Sequence, residues 1–240
     1  MIYPIVRSVA ADFGSEPGPT SNRIGAYLVL VGFHTTYIAS AMFLTSMASN
    51  PLAAEYALKI AHVELTWLRW LAGSIVPGLI ALIVAPLLLL RWCRPEIRDT
   101  APARELTRAE FGRMGLSARL FHSLAGLAWP VAAMVLVAAY LYIHYTFASM
   151  TAQLMALYPA FLSAMLAAGV PPMVAALSLA YFSSLNAGIT HYGTGSAPVF
   201  FAQGYVRQGA WWRFGLLLSL VNLAIWLGIG FWWWRLVGLW

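Results

Sequence analysis

The chain has 240 residues, 61% of them apolar and only 9% charged, with a mean hydropathy of +0.75. Soluble domains carry about a quarter charged residues, yet here no Asp, Glu, Lys or Arg lies between Arg119 and Arg207, and no acid follows Glu110. Such a stretch cannot face water, so the chain is an integral membrane protein rather than a soluble enzyme, a disordered tail or a disulfide-rich secreted domain.

The remaining composition narrows this further. The single Cys93 forbids an intrachain disulfide and any multi-cysteine metal site. A net charge of +6 could suggest nucleic acid, but all the basic residues except Lys59 are Arg, set in short loops beside apolar runs. That is the positive-inside signature of membrane topology, and no nucleic-acid partner is expected.

In chain order, Met1-Ile2-Tyr3-Pro4-Ile5 has no charged n-region and is no signal peptide. It reads as an internal piece of a membrane helix. A span needs about 20 mostly apolar residues, and 24–48, 66–90, 123–147, 173–202 and 214–234 meet that test. A sixth segment, 152–169, sits at the lower limit and could instead be half of a re-entrant hairpin. Backbone polar groups find no water in lipid, and no alternating barrel strands occur, so the expected class is an all-α, multi-span helical bundle. Between the second and third spans, 91–119 carries seven Arg and four acids and reads as a solvated cytoplasmic loop. Trp232, Trp233, Trp234, Arg235 and Trp240 read as an interfacial belt ending the last helix.

The chain also resembles itself. Ile2-Tyr3-Pro4 with Ser8 recurs as Leu157-Tyr158-Pro159 with Ser163, and Trp67-Leu68-Arg69-Trp70 recurs as Trp211-Trp212-Arg213-Phe214. Between these anchors each copy holds a span interrupted by small, polar and proline residues: Thr45-Ser46-Met47-Ala48-Ser49-Asn50-Pro51, and Thr190-His191-Tyr192-Gly193-Thr194-Gly195-Ser196-Ala197-Pro198. Proline removes a backbone donor and glycine loosens the helix, so amides and carbonyls near each break need new partners. Paired interruptions in corresponding positions of two halves point to a transporter's binding site. The organisation expected is a partial first repeat over 1–90 (part of a hairpin plus two helices), a charged loop over 91–122, and a partial second repeat over 123–240 (a hairpin plus two helices). Remnants of an inverted repeat and discontinuous helices follow from that.

Other polar groups were weighed against packing roles. His34, His62, His122, His144 and His191 form no i, i+3 or i, i+4 pair, so no zinc site is expected. His144 and His191 stand open between helix packing and substrate contact. Ser149-Met150-Thr151 marks a change from large aromatics to small polar residues, which ordinary helix back-bonding would also explain. Gly193-Thr194-Gly195-Ser196 matches neither a phosphate loop nor a nucleophile elbow. With no acid nearby, an intramembrane hydrolase would have no base beyond a lone His, so no enzyme and no catalytic residue is expected.

The run Thr190–Pro198, followed by Gly204-Tyr205-Val206 and Trp211-Trp212-Arg213-Phe214-Gly215, resembles the C-terminal signature of the divalent anion:sodium symporter (DASS) family. Tyr142–Ala152 is similar to the second hairpin of its branch of citrate/succinate antiporters and 2-oxoglutarate/malate translocators. Ser40–Ala53 is similar to the matching part of the first repeat. The resemblance implies an inverted-repeat, elevator-type transporter of di- and tricarboxylates, dimeric, in a bacterial inner (cell) membrane. By that resemblance, substrate contacts fall to Ser149, Thr151, Thr190, Gly193, Thr194, Ser49 and Asn50, with Pro51 and Pro198 as structural helix breaks; His191 joins the contacts as a neutral donor in a stretch without Lys or Arg, and Gly195 the breaks. The branch works by exchange, which leaves sodium as an option near Ser149, Thr151 and Gly193, and no other cofactor or metal is expected. Two departures stand out: the chain is about half the family's usual length, and the helices expected between the charged loop and the second hairpin are missing around Leu120–Ser123. A non-transporting membrane remnant or interaction subunit is therefore the alternative reading.

Overall fold

The structure is a computed structural model and describes residues 3–93, 128–147 and 149–240. The expected charged loop lies largely outside the described residues. Among the described residues every regular element is helical: α1 (Tyr3–Asp12), α2 (Gly25–Met42), α3 (Ser49–Ala61), α4 (Trp67–Cys93), α5 (Trp129–Ile143, prolonged by a 3-10 turn His144–Thr146), α6 (Met150–Ala167), α7 (Pro172–Leu185, then a 3-10 turn Asn186–Gly188), α8 (Ala197–Phe201), α9 (Gln208–Leu223) and, after a π-helical turn at Ala224–Ile229, α10 (Gly230–Leu236). Pro130, Pro172 and Pro198 sit in the first turns of α5, α7 and α8, where a missing N–H costs nothing and a fixed φ favours helix entry.

Among the described residues five helical stretches are long and apolar enough to cross a membrane: Gly25–Met42, Trp67–Cys93, Trp129–Thr146, Met150–Ala167 and Gln208–Leu236. The segment at 152–169 is thus one helix of spanning length, α6. The segment at 173–202 is not one span. It divides into α7, an unwound stretch and the five residues of α8. At 14 residues α7 reaches about 21 Å, short of the roughly 30 Å hydrocarbon core. Val174 to Leu185 are buried on every face, and burial continues through Thr190. A helix apolar all round is one enclosed by its neighbours, and α7 packs against α2, α3, α5 and α6.

Around this centre α4 lines its inner face with small residues between the buried Trp70 and Leu89. On α4, Gly73, Ser74, Pro77, Gly78, Ala81 and Ala85 are buried, whereas Leu79, Ile83, Leu87 and Leu90 are exposed. Small faces let backbones approach closely in lipid: a Cβ on Gly78 would lie 2.5 Å from Met42 Cγ of α2.

Pro77 inside α4 leaves the carbonyl four residues earlier, Gly73, without its helical donor. The indole Nε1 of Trp234 donates to that oxygen at 2.7 Å, and Trp233 Nε1 donates to Ala72 O at 2.7 Å. This corrects the interfacial-belt reading in part. Trp232 and Trp240 are exposed, but Trp234 is buried because its N–H is committed to the proline break in α4.

Candidate site at the two helix interruptions

Both expected interruptions are present. The first lies between α2 and α3, over 43–48, and the second between Gly188 and α8, over 189–196. A helix C-terminus leaves carbonyls without partners, so each break can be judged by where those oxygens go.

At the first, every one is met by a side chain. Asn50 Nδ2 donates to Ser40 O at 3.0 Å and to Phe43 O at 2.9 Å. Trp70 Nε1 donates to Ala41 O at 3.0 Å, and Ser74 Oγ to Met42 O at 2.8 Å. Ser46 Oγ donates to Phe43 O at 2.7 Å and also to Ser40 O. Asn50 Oδ1 accepts from Ser184 Oγ of α7 at 2.8 Å. Asn50 is therefore a brace tying the first break to α7. Its neighbour Ser49 is different: Oγ is buried and has no hydrogen-bond partner. Pro51 is exposed in the first turn of α3.

The second break is held by groups from α5 and α6. Tyr145 donates its hydroxyl to Asn186 O at 2.8 Å. Gln153 Nε2 donates to Tyr140 O at 2.8 Å, which turns Gln153 Oε1 toward His144 Nδ1 (2.8 Å) and toward the Asn186 side-chain amide, which donates to it. His144 Nε2 lies 3.0 Å from Gly193 O. His144 thus has both ring nitrogens on protein groups, on the packing side of the two readings left open for it. Gly188 must be glycine: a Cβ there would lie 2.7 Å from the Tyr37 hydroxyl, and one on Gly215 would overlap the Gly188 carbonyl.

The rest of the second break offers polar groups inward. Thr190 Oγ1 is buried with no partner, as is Asn186 Oδ1. A Cβ on Gly193 would lie 2.8 Å from Thr190 Oγ1 and 3.1 Å from His144 Nε2, so Thr190 and His144 flank the same glycine. Thr194 is buried, and its carbonyl accepts from Ala197 N at 3.2 Å, starting α8. His191 is half-buried over Phe201, with ring centroids 4.5 Å apart, and its Nδ1 accepts from Trp212 Nε1 at 3.2 Å. An indole N–H only donates, so the neutral imidazole carries its proton on Nε2. Gly195 and Pro198 are exposed.

Ser149 is exposed and serves as the N-cap of α6, its Oγ accepting from Ala152 N at 3.3 Å. Thr151 is half-buried one position into the same turn. Hard cations need several oxygens converging on one point. Of the oxygens considered for sodium, Ser149 Oγ already caps its own helix and Gly193 O already faces an imidazole nitrogen, so each has one protein partner and one lone pair left.

Gln153, Asn186 and Ser184 escaped sequence reasoning, which in the second half weighed histidines, glycines and the hydroxyls beside the break. A signal existed: Gln153 and Asn186 are the two side-chain amides in 120–200, and they bond to each other. Polar groups at membrane depth are the ones to suspect first.

The profile of the sodium:sulfate symporter transmembrane region matches residues 1–119 and 116–240. The chain belongs to this divalent anion:sodium symporter family. It is 35% identical to a candidate malate transporter of Bacillus subtilis (YflS), covering all of this chain and 68% of the relative. It is 32% identical to the chloroplast dicarboxylate transporter 1 of Arabidopsis thaliana and 33% identical to that of Spinacia oleracea, covering all of this chain and 58% and 57% of those relatives. The chain thus spans less than two thirds of the length of the two chloroplast relatives. The first two alignments run over 324 and 326 positions against 240 residues here, so those relatives carry more than 80 positions inside the matched region that this chain lacks. The two family matches meet at 116–119, a few residues before the join expected at 120–123.

Proposed function

We propose that the chain moves di- and tricarboxylates of the 2-oxoglutarate, malate, succinate and citrate class across a membrane, by exchange or cation-coupled symport. The observation that carries this reading is the pair of buried, unpartnered hydroxyls, Ser49 Oγ at one interruption and Thr190 Oγ1 at the other. A buried polar group without a partner is costly unless a ligand supplies one. Hydroxyls and an imidazole N–H can all donate to carboxylate oxygens, and the Bacillus relative is named for malate transport and the Arabidopsis and spinach relatives for dicarboxylate transport.

In this reading Thr190, Ser49 and His191 donate directly, and Ser149, Thr151, Gly193 and Thr194 line the approach with hydroxyl or backbone groups. Asn50 supports Ser49 through its hold on the break. Residues 1–90 and 123–240 act as two partial repeats, each supplying one interruption, and the working unit is a homodimer in the lipid bilayer. A bacterial inner membrane is the setting we favour, in line with the Bacillus relative and the Escherichia coli inner membrane protein YbhI, 25% identical; the chloroplast relatives supply the alternative.

The test is equilibrium binding of labelled malate to the purified chain in detergent, with a full-length relative as the positive control. Saturable binding weakened about tenfold by Thr190→Val and by Ser49→Ala is expected, the worth of a hydrogen bond to a charged group. Unchanged affinity in both variants would remove these hydroxyls from the site. The positions missing inside the matched region favour a second reading, a non-transporting remnant. An absence of saturable binding beside an active control would select it.

A further inference from the structure

The two ring nitrogens of His144 face acceptors on both sides. A backbone carbonyl only accepts, so Gly193 O, 3.0 Å from Nε2, calls for an N–H there. The Nδ1 side is fixed by the same logic at one remove. Tyr140 O can only accept, so the NH₂ end of Gln153 must point to it, and the oxygen end therefore faces His144 Nδ1 at 2.8 Å. The Asn186 amide, oriented to match, donates to that same oxygen. A neutral imidazole has one N–H and one lone pair, so one of the two contacts would set a nitrogen lone pair against an oxygen lone pair. Only the imidazolium, a donor at both nitrogens, satisfies both.

No fixed charge lies on the segments that hold this ring. Residues 120–206 contain no Asp, Glu, Lys or Arg. The titratable groups on the elements around it are Tyr140, Tyr142 and Tyr145 on its own helix and turn, Tyr158 on α6, Tyr181 on α7, and His191 and Tyr192 on the unwound segment. Tyr145 meets the ring edge-on with centroids 5.4 Å apart, Tyr140 is hydrogen-bonded to Ser183, and His191 to Trp212. An imidazolium buried without a counter-charge is expensive. A dianion held at Thr190, which flanks the same glycine, would offset that cost.

The geometry points to His144 as a proton-binding site that takes the place of a metal cation in the second half-site. In its protonated form the ring holds the Gly193 carbonyl of the unwound segment against Gln153 of α6 and supplies the positive charge that the surrounding sequence lacks. The pairing with a dicarboxylate rests on the transport reading above, whereas the proton site itself does not.

Solid-state NMR of the 240-residue chain in liposomes, with ¹⁵N-labelled histidine in sodium-free buffer, reads this directly, because a ring N–H and a bare ring nitrogen differ strongly in shift. The His144 signals are identified by their loss in His144→Gln, or, if that variant does not insert, by through-space transfer to a labelled Gln153 amide. On titration from about pH 8 to pH 5, His144 is expected to reach two N–H nitrogens while keeping contact with Gln153. A bare nitrogen persisting to the acid end would overturn the proposal. Malate added at constant pH is expected to raise the fraction of imidazolium, by reciprocal linkage. No change, in a sample whose malate binding is measured separately, would overturn the pairing. A sample that binds no malate at all would count against the transport reading and leave the titration to decide the proton site.

Discussion

The two interruptions carry similar sequence, small and polar residues ending in proline, and the fold uses them differently. The first closes on its own backbone: Asn50, Ser46, Trp70 and Ser74 between them meet the carbonyls of Ser40, Ala41, Met42 and Phe43, and Ser49 Oγ alone is left buried without a partner. The second is held at Asn186 and Gly193 by groups from α5 and α6, but it leaves Thr190 Oγ1 and Asn186 Oδ1 buried and unanswered. A broken helix is therefore not a site by itself. What makes one is polar capacity left over after the break has satisfied its own backbone.

Removing the brace should have the largest effect. Asn50→Leu strips one donor from each of the Ser40 and Phe43 carbonyls and the acceptor from buried Ser184, and sets an apolar side chain in the brace's place; it is expected to cost about 3–5 kcal/mol, read by circular dichroism on heating in detergent. At the second break, Gly215→Ala drives a methyl group into the Gly188 carbonyl, where backbone meets backbone and no side chain can yield. About 3 kcal/mol is expected. Trp70→Phe removes the Ala41 cap while keeping most of the ring, and about 1–2 kcal/mol should be lost. Thr190→Val and Ser49→Ala remove polar atoms that have no partner, so stability should hold or rise slightly, by under about 0.5 kcal/mol. A loss of stability in these last two comparable to Asn50→Leu would erase the distinction between brace and site.

Much of the fold could be read from apolar run length, because a membrane helix is set by a local quantity. The segments at 66–90 and 214–234 became α4 and the α9–α10 helix with only shifted ends. The segment at 173–202 misled because its hydropathy is continuous across 186–196, while the break depends on where Asn186, Gly188 and Gly193 find partners from other helices. Trp234 misled for a related reason, since its partner is a carbonyl freed by a proline 157 positions earlier in the chain. Within the site, Thr190 and Ser49 were legible as hydroxyls beside a break. Asn50 was legible as polar, but its inward turn onto the end of α2 belongs to tertiary structure, as does the junction of His144, Gln153 and Asn186.

Counterflow in liposomes tests the central claim most directly, by loading vesicles that hold the 240-residue chain with malate and following entry of labelled malate, succinate, 2-oxoglutarate and citrate. The account predicts saturable entry of at least one of them, strongly reduced by Thr190→Val in a variant that melts like the unaltered chain. No entry beside an active full-length relative, or entry that Thr190→Val leaves unchanged, would contradict it.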